Sequence, residues 1–158
     1  IVVVVGEVHD HRRHDDVVVV LVGRGGRGAV PGRIQDRRRR AGGRGEVDDL
    51  QVVVERLQPR SVVLAGFCFG AAMQAKLAQR VVAERIVLVG VAVVNIQVPP
   101  VPAGTLVIHG ELDTTIPLAA VLDWARPQGL EVTVVPGADH FFHRKLQELR
   151  DLVKAGWQ

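Results

Sequence analysis

At 158 residues the chain is long enough to bury a real core but short for more than one domain. Its 47% hydrophobic content, with no run of eighteen uninterrupted apolar residues, favours a sheet covered on both faces and gives no transmembrane helix. The net charge of +3 rests on 17 Arg against 3 Lys; the excess fits GC-rich coding, and without interleaved aromatic residues or a binding motif it implies no nucleic-acid partner.

In chain order, the valine runs 2–5 and 17–22 read as buried strands. The opening Ile1-Val2-Val3-Val4-Val5 lacks a basic n-region, so no signal peptide is read. The first 42 residues contain no aromatic residue and no lysine, and the stretch from Gly23 to Gly43, including Arg37-Arg38-Arg39-Arg40, has no amphipathic period. Val47, Leu50, Val53, Val54 and Leu57 recur at helical spacing, which predicts a helix over 46–57 ending before Pro59. The apolar run 61–65 predicts a strand, Gly66-Phe67-Cys68-Phe69-Gly70 a sharp turn, and 69–81 a helix. Strand 86–89, the proline-stiffened loop 97–102 beside the pocket, and strand 105–109 follow. Pro117 opens a helix through Trp124, 130–135 is a strand, and 143–153 is a closing helix. Strands alternating with helices imply a parallel sheet with right-handed crossovers.

Three of these strand ends carry reactive residue types. Strand, glycine-flanked nucleophile and helix, in that order, make a nucleophile elbow at Cys68. Its turn demands a positive φ and a close approach of strand and helix, which side chains at the flanking positions would obstruct. The thiol then sits at a helix N-terminus, where the dipole and free N–H groups favour a thiolate. Asp113 follows the strand ending at His109, and His140 follows the strand ending at Val135. Parallel strands deliver all three loops to one sheet edge. Each residue taken singly has a plainer explanation: a buried structural cysteine, a turn-capping aspartate, a helix-capping histidine. Asp139 competes for the role of acid, but adjacent side chains on an extended turn point apart, which favours Asp113.

The order nucleophile, acid, base is that of an α/β-hydrolase triad. Through Gly43-Arg44-Gly45-Glu46-Val47-Asp48-Asp49-Leu50, the elbow, His109-Gly110-Glu111-Leu112-Asp113 and Pro136-Gly137-Ala138-Asp139-His140-Phe141-Phe142, the chain resembles small lidless bacterial α/β-hydrolases related to serine esterases and dienelactone hydrolase. The resemblance implies a single domain over 1–158: an α/β three-layer sandwich with a mostly parallel sheet, family-like over 43–158 and atypical, truncated or irregular, over 1–42. It implies hydrolysis of ester, thioester or lactone bonds by Cys68, Asp113 and His140 through an acyl-enzyme. Close relatives usually carry serine at the elbow, and dienelactone hydrolases carry cysteine. Phe69 N–H, just after the nucleophile, would supply one oxyanion donor, and a second would come from the loop near His9 to Arg12. Phe67 is a candidate substrate contact, with core packing as its alternative role; Glu46 and Asp48 read as structural. No metal or organic cofactor is required, and the expected partner is a small-molecule ester-type substrate, with no membrane and no nucleic acid. The single cysteine excludes an internal disulfide and fits a reducing cytoplasm.

Two further readings compete. The run His9-Asp10-His11-Arg12-Arg13-His14-Asp15-Asp16 offers metal-ligand types for a metal-dependent hydrolase, although Arg13 stands where such a motif wants an acid. A missing oxyanion donor would instead leave a catalytically impaired binding protein on the same fold, because one donor is worth about 100- to 1000-fold in rate.

Overall fold

The computed structural model describes residues 2–9, 16–23, 44–57, 61–94 and 96–156. Both valine runs form strands, β1 (Val2–His9) and β2 (Asp16–Gly23), each extending beyond its apolar run. Helix α1 (Arg44–Leu57) buries Val47, Leu50 and Val54, one face at helical spacing, and exposes Asp48, Asp49 and Glu55. Strand β3 (Ser61–Phe67) runs two residues past its valine-rich core, since Phe67 still pairs with Val89 of β4 (Arg85–Val89). Helix α2 (Phe69–Leu77) is shorter than the expected 69–81. Gln79 N–H and Arg80 N–H turn to the carbonyls of Lys76 and Leu77, three residues back, and the last turn tightens out of the helix.

Strand β5 (Leu106–Gly110) and helix α3 (Leu118–Ala125) match expectation closely, with Pro117 immediately before the helix. A short 3₁₀ turn, Arg126–Gln128, then ends at Gly129, whose φ of 62° is the left-handed cap that favours glycine. Strand β6 (Val132–Val135) starts two residues late because Leu130 N–H is spent on the carbonyl of Ala125. Helix α4 (Leu146–Ala155) starts three residues late. Phe142 and Arg144 have φ of 55° and 62°, which no α-helix accommodates. Among the described residues no helix is long and apolar enough to cross a membrane.

The six strands among the described residues form one sheet whose spatial order, β1-β2-β3-β4-β5-β6, is the chain order. The pair β1–β2 is antiparallel and every later pair is parallel. Right-handed crossovers that all step the same way put their helices on one face. Accordingly α1, α2 and α3 share one apolar cluster with Val62, Leu64, Ile86, Leu88 and Val107. The opposite face carries Val87, Val89, Ile108 and Val135, packed with Phe142 and with Leu149, Leu152 and Val153 of α4. Alternation along β4, with 86 and 88 one way and 87 and 89 the other, is the two-residue strand period made visible. Burying each such aliphatic side chain is worth about 1.5–3 kcal/mol, and truncating the fully buried Leu88 to alanine would cost about 2–5 kcal/mol. Strands β3 to β6 therefore present their C-terminal ends, Phe67, Val89, Gly110 and Val135, along one edge.

Candidate active site

Cys68 stands between the last residue of β3 and the first of α2, with φ 53° and ψ −115°. A non-glycine residue there costs about 1–3 kcal/mol and persists only where neighbours hold it. They do: Cys68 N–H donates to Val89 O at 2.9 Å, and its carbonyl accepts from Ala72 N–H and Ala92 N–H, both at 3.3 Å. Gly66 is required by the same turn. A Cβ on it would sit 2.5–2.6 Å from the backbone of Gly70 and Ala71, so strand and helix meet with no room for a side chain. Phe69 opens α2, and its N–H is among the first four of the helix, which have no intrahelical acceptor.

Asp113 lies in the turn after β5 and is buried. Its Oδ1 accepts the N–H groups of Thr115 (2.8 Å) and Ile116 (2.7 Å), and its Oδ2 accepts Nδ1–H of His140 at 2.6 Å. A carboxylate can only accept, so His140 carries a proton on Nδ1 and its Nε2 points away from this bond. The His140 ring packs against Phe67, one residue before Cys68, at 4.9 Å between centroids, and edge-on against Phe141 at 5.0 Å. Phe67 thus touches the candidate base and also contributes to the apolar cluster of its sheet face.

The acid and base loops touch backbone to backbone. A Cβ on Gly110 would lie 2.5 Å from Ala138 O and 2.7 Å from Asp139 O. Leu112 N–H donates to Ala138 O (2.9 Å) and Glu111 Oε2 accepts Gly137 N–H (2.8 Å), which ties the two loops together. No role for Gly110 follows from its sequence position, although a glycine at a strand end just before an acid is the signal to look for.

Asp139 faces another partner. Its Oδ2 accepts from His143 Nδ1 at 2.6 Å and its Oδ1 accepts the N–H groups of Phe141 and His143. The His143 hydrogen bond holds its carboxyl below the usual range. His109, the penultimate residue of β5, is wholly buried, and burial pushes its pKa below the ordinary 6.5. The expected second oxyanion region starts at the wrong edge. His9 ends the antiparallel β1 opposite Asp16, where β2 begins, whereas Val22, near the end of β2, pairs with Gly66 beside the elbow. The strand end level with Cys68 on that side is Gly23, and residues 10–15 and 24–43 lie outside the described residues. The metal-ligand run falls mostly on those residues too; among the described ones no three His, Cys, Asp or Glu side chains gather for a metal ion.

The model of the dienelactone hydrolase family matches residues 32–156. The chain belongs to the dienelactone hydrolase family. Among solved structures it is similar to an α/β serine hydrolase homologue from Coxiella burnetii, with 32% identity and a TM-score of 0.68 over 79% of this chain and 64% of that one. It is also similar to a lidless α/β serine hydrolase from Xanthomonas campestris, with 31% identity and a TM-score of 0.65 over 75% of this chain and 58% of that one. A putative α/β-hydrolase from Agrobacterium tumefaciens, 24% identical over 81% of this chain and 64% of that one, shares the fold with a TM-score of 0.67. The chain therefore spans about three fifths of the length of these proteins. No curated protein matches it. The open, mostly parallel sheet with helices on both faces is the α/β-hydrolase fold, and this member of the dienelactone hydrolase family places cysteine at its elbow.

Proposed function

We propose that the protein hydrolyses carboxylic ester-type bonds, whether ester, thioester or lactone, through an acyl group carried on Cys68. The single observation that carries this reading is the buried 2.6 Å pair of Asp113 and His140 at the sheet edge where Cys68 holds its strained elbow. In the reaction, His140 Nε2 takes the Cys68 proton and Sγ attacks the carbonyl carbon. Negative charge then develops on the carbonyl oxygen, and Phe69 N–H, aided by the α2 N-terminus, receives it. Collapse of the tetrahedral species breaks the bond to the leaving oxygen or sulfur, which takes the proton from His140. Water, deprotonated by His140, attacks the thioester and releases the acid and the thiol. Asp113 keeps the imidazole in the Nδ1–H tautomer and stabilises it while charged. No step calls on a metal or organic cofactor. The substrate in this reading is a small molecule met in a reducing cytoplasm, where the lone thiol stays reduced.

Short-chain p-nitrophenyl esters test the reading. Hydrolysis is expected, with an acyl adduct on Cys68 by mass spectrometry. Cys68→Ala should abolish turnover, and Cys68→Ser should retain part of it. Undiminished hydrolysis by Cys68→Ala would remove this mechanism.

A further inference from the structure

One buried ionisable group lies beside the site without a part in the chemistry above. His109 is 0% exposed, and its side chain crosses from the end of β5 to the far side of the acid loop, where Nε2 lies 2.9 Å from Ile116 O. A carbonyl can only accept, so the ring proton is on Nε2. Its Nδ1 has no hydrogen-bond partner among the described residues, and a second proton there would be buried without an acceptor. Desolvation acts in the same direction, holding the ring neutral.

The Ile116 peptide is consequently gripped from both ends. Its N–H donates to Asp113 Oδ1 at 2.7 Å, and its carbonyl accepts from His109. The same Nε2 lies 3.5 Å from Asp113 Oδ2, the oxygen that receives His140. Neutrality matters here. A cationic His109 would compete with His140 for that oxygen and offset the charge that stabilises the imidazolium; a neutral donor closes the turn and leaves the full carboxylate charge to His140.

We infer that His109 is a positioning residue, a neutral Nε2–H donor that locks the 110–116 loop and so aims the Asp113 carboxylate at His140. For turnover this rests on the hydrolase reading above; for the orientation of His140 it does not.

The test uses the full chain and two readouts. Glutamine places an amide nitrogen where Nε2 stands and does not titrate, whereas leucine fills the space without a donor and asparagine is too short to reach. His109→Gln should keep kcat and the downfield NMR resonance of the His140 Nδ1 proton. His109→Leu and His109→Asn should lose that resonance and lower kcat by about 10- to 100-fold, the scale of a displaced supporting hydrogen bond, with KM little changed. If the leucine variant does not fold, the glutamine–asparagine comparison decides. The inference is overturned if either donor-deleted variant keeps both the resonance and kcat, or if glutamine fails as asparagine does. Absence of esterase activity in the wild-type protein would remove the hydrolase reading, while the His140 resonance would still judge His109.

Discussion

Two histidine–aspartate hydrogen bonds lie beside this sheet edge among the described residues, and by distance alone they are indistinguishable: His140 Nδ1 to Asp113 Oδ2 and His143 Nδ1 to Asp139 Oδ2 both measure 2.6 Å. Their surroundings differ. The side chains of the first pair are 5% and 0% exposed, those of the second 72% and 45%. Asp113 arrives from one strand end and His140 from the next, so their contact reports the tertiary fold and escapes screening by solvent and salt. Asp139 and His143 belong to one turn, and the pair serves as a local brace: Asp139 also takes the N–H groups of Phe141 and His143, through the two positive-φ positions that lead into α4. A short histidine–carboxylate distance therefore does not by itself tell a long-range contact from a local brace; burial and long-range delivery separate the two pairs.

The comparison breaks most readily at its acids. In the hydrolase reading, Asp113→Asn should lower kcat by about 1,000- to 10,000-fold, because the imidazole loses its orienting charge and can adopt the other tautomer. Circular dichroism should show the fold intact. Turnover that falls further in Asp139→Asn than in Asp113→Asn would invert the assignment.

Gly110→Ala sharpens the contrast. The added methyl would collide with the carbonyls of Ala138 and Asp139 and push the His140 loop from the acid loop. The expected cost is about 1–3 kcal/mol in denaturant-induced unfolding and about 100-fold in kcat. The local Asp139–His143 brace should survive, so the ring NMR resonances of His143 should stay in place while those of His140 move. Parallel movement of both would show that one loop cannot shift without the other pair.

The smallest effect belongs to Asp139→Asn, whose turnover at neutral pH should stay within about twofold of wild type, as for most surface substitutions. Its stability signature has a definite sign. The folded-state pKa of Asp139 is depressed from 3.8, so its contribution is present above that value and disappears as pH falls through the lower folded value. Any difference in Tm between the variant and wild type at pH 7 should thus vanish in strong acid. A difference that persists there would mean that the brace does not depend on the carboxylate charge.

Much of the site was legible because its signals are local. Glycines around Cys68 announce a turn with positive φ, and the valine-rich runs announce strands whose ends must carry the loops. The preference for Asp113 over Asp139 followed from the geometry of neighbouring side chains, and the structure pairs Asp113 with His140. What escaped depends on contacts distant in sequence. A helix over 143–153 fits the periodicity, but burial of Phe142 in the core forces the backbone conformation that delays α4. His109 reads as the polar end of a strand until the acid loop folds back over it. A donor loop after His9 is what the resemblance implies for an early strand, but a valine run carries no direction, and the antiparallel course of β1 puts His9 at the other edge.

The strand order has a consequence for how the molecule is made. Since neighbours among the described strands are neighbours in the chain, each of them can add to an existing edge as the ribosome releases it, and none of them must be threaded between two already paired. Cys68 emerges before Asp113 and His140 and acquires its elbow from β3, α2 and β4. His140 emerges only after β6. A nascent chain released only as far as β5 would therefore carry the thiol on a formed scaffold without the imidazole of His140, and in the hydrolase reading the site is armed only once β6 and the turn after it have been made.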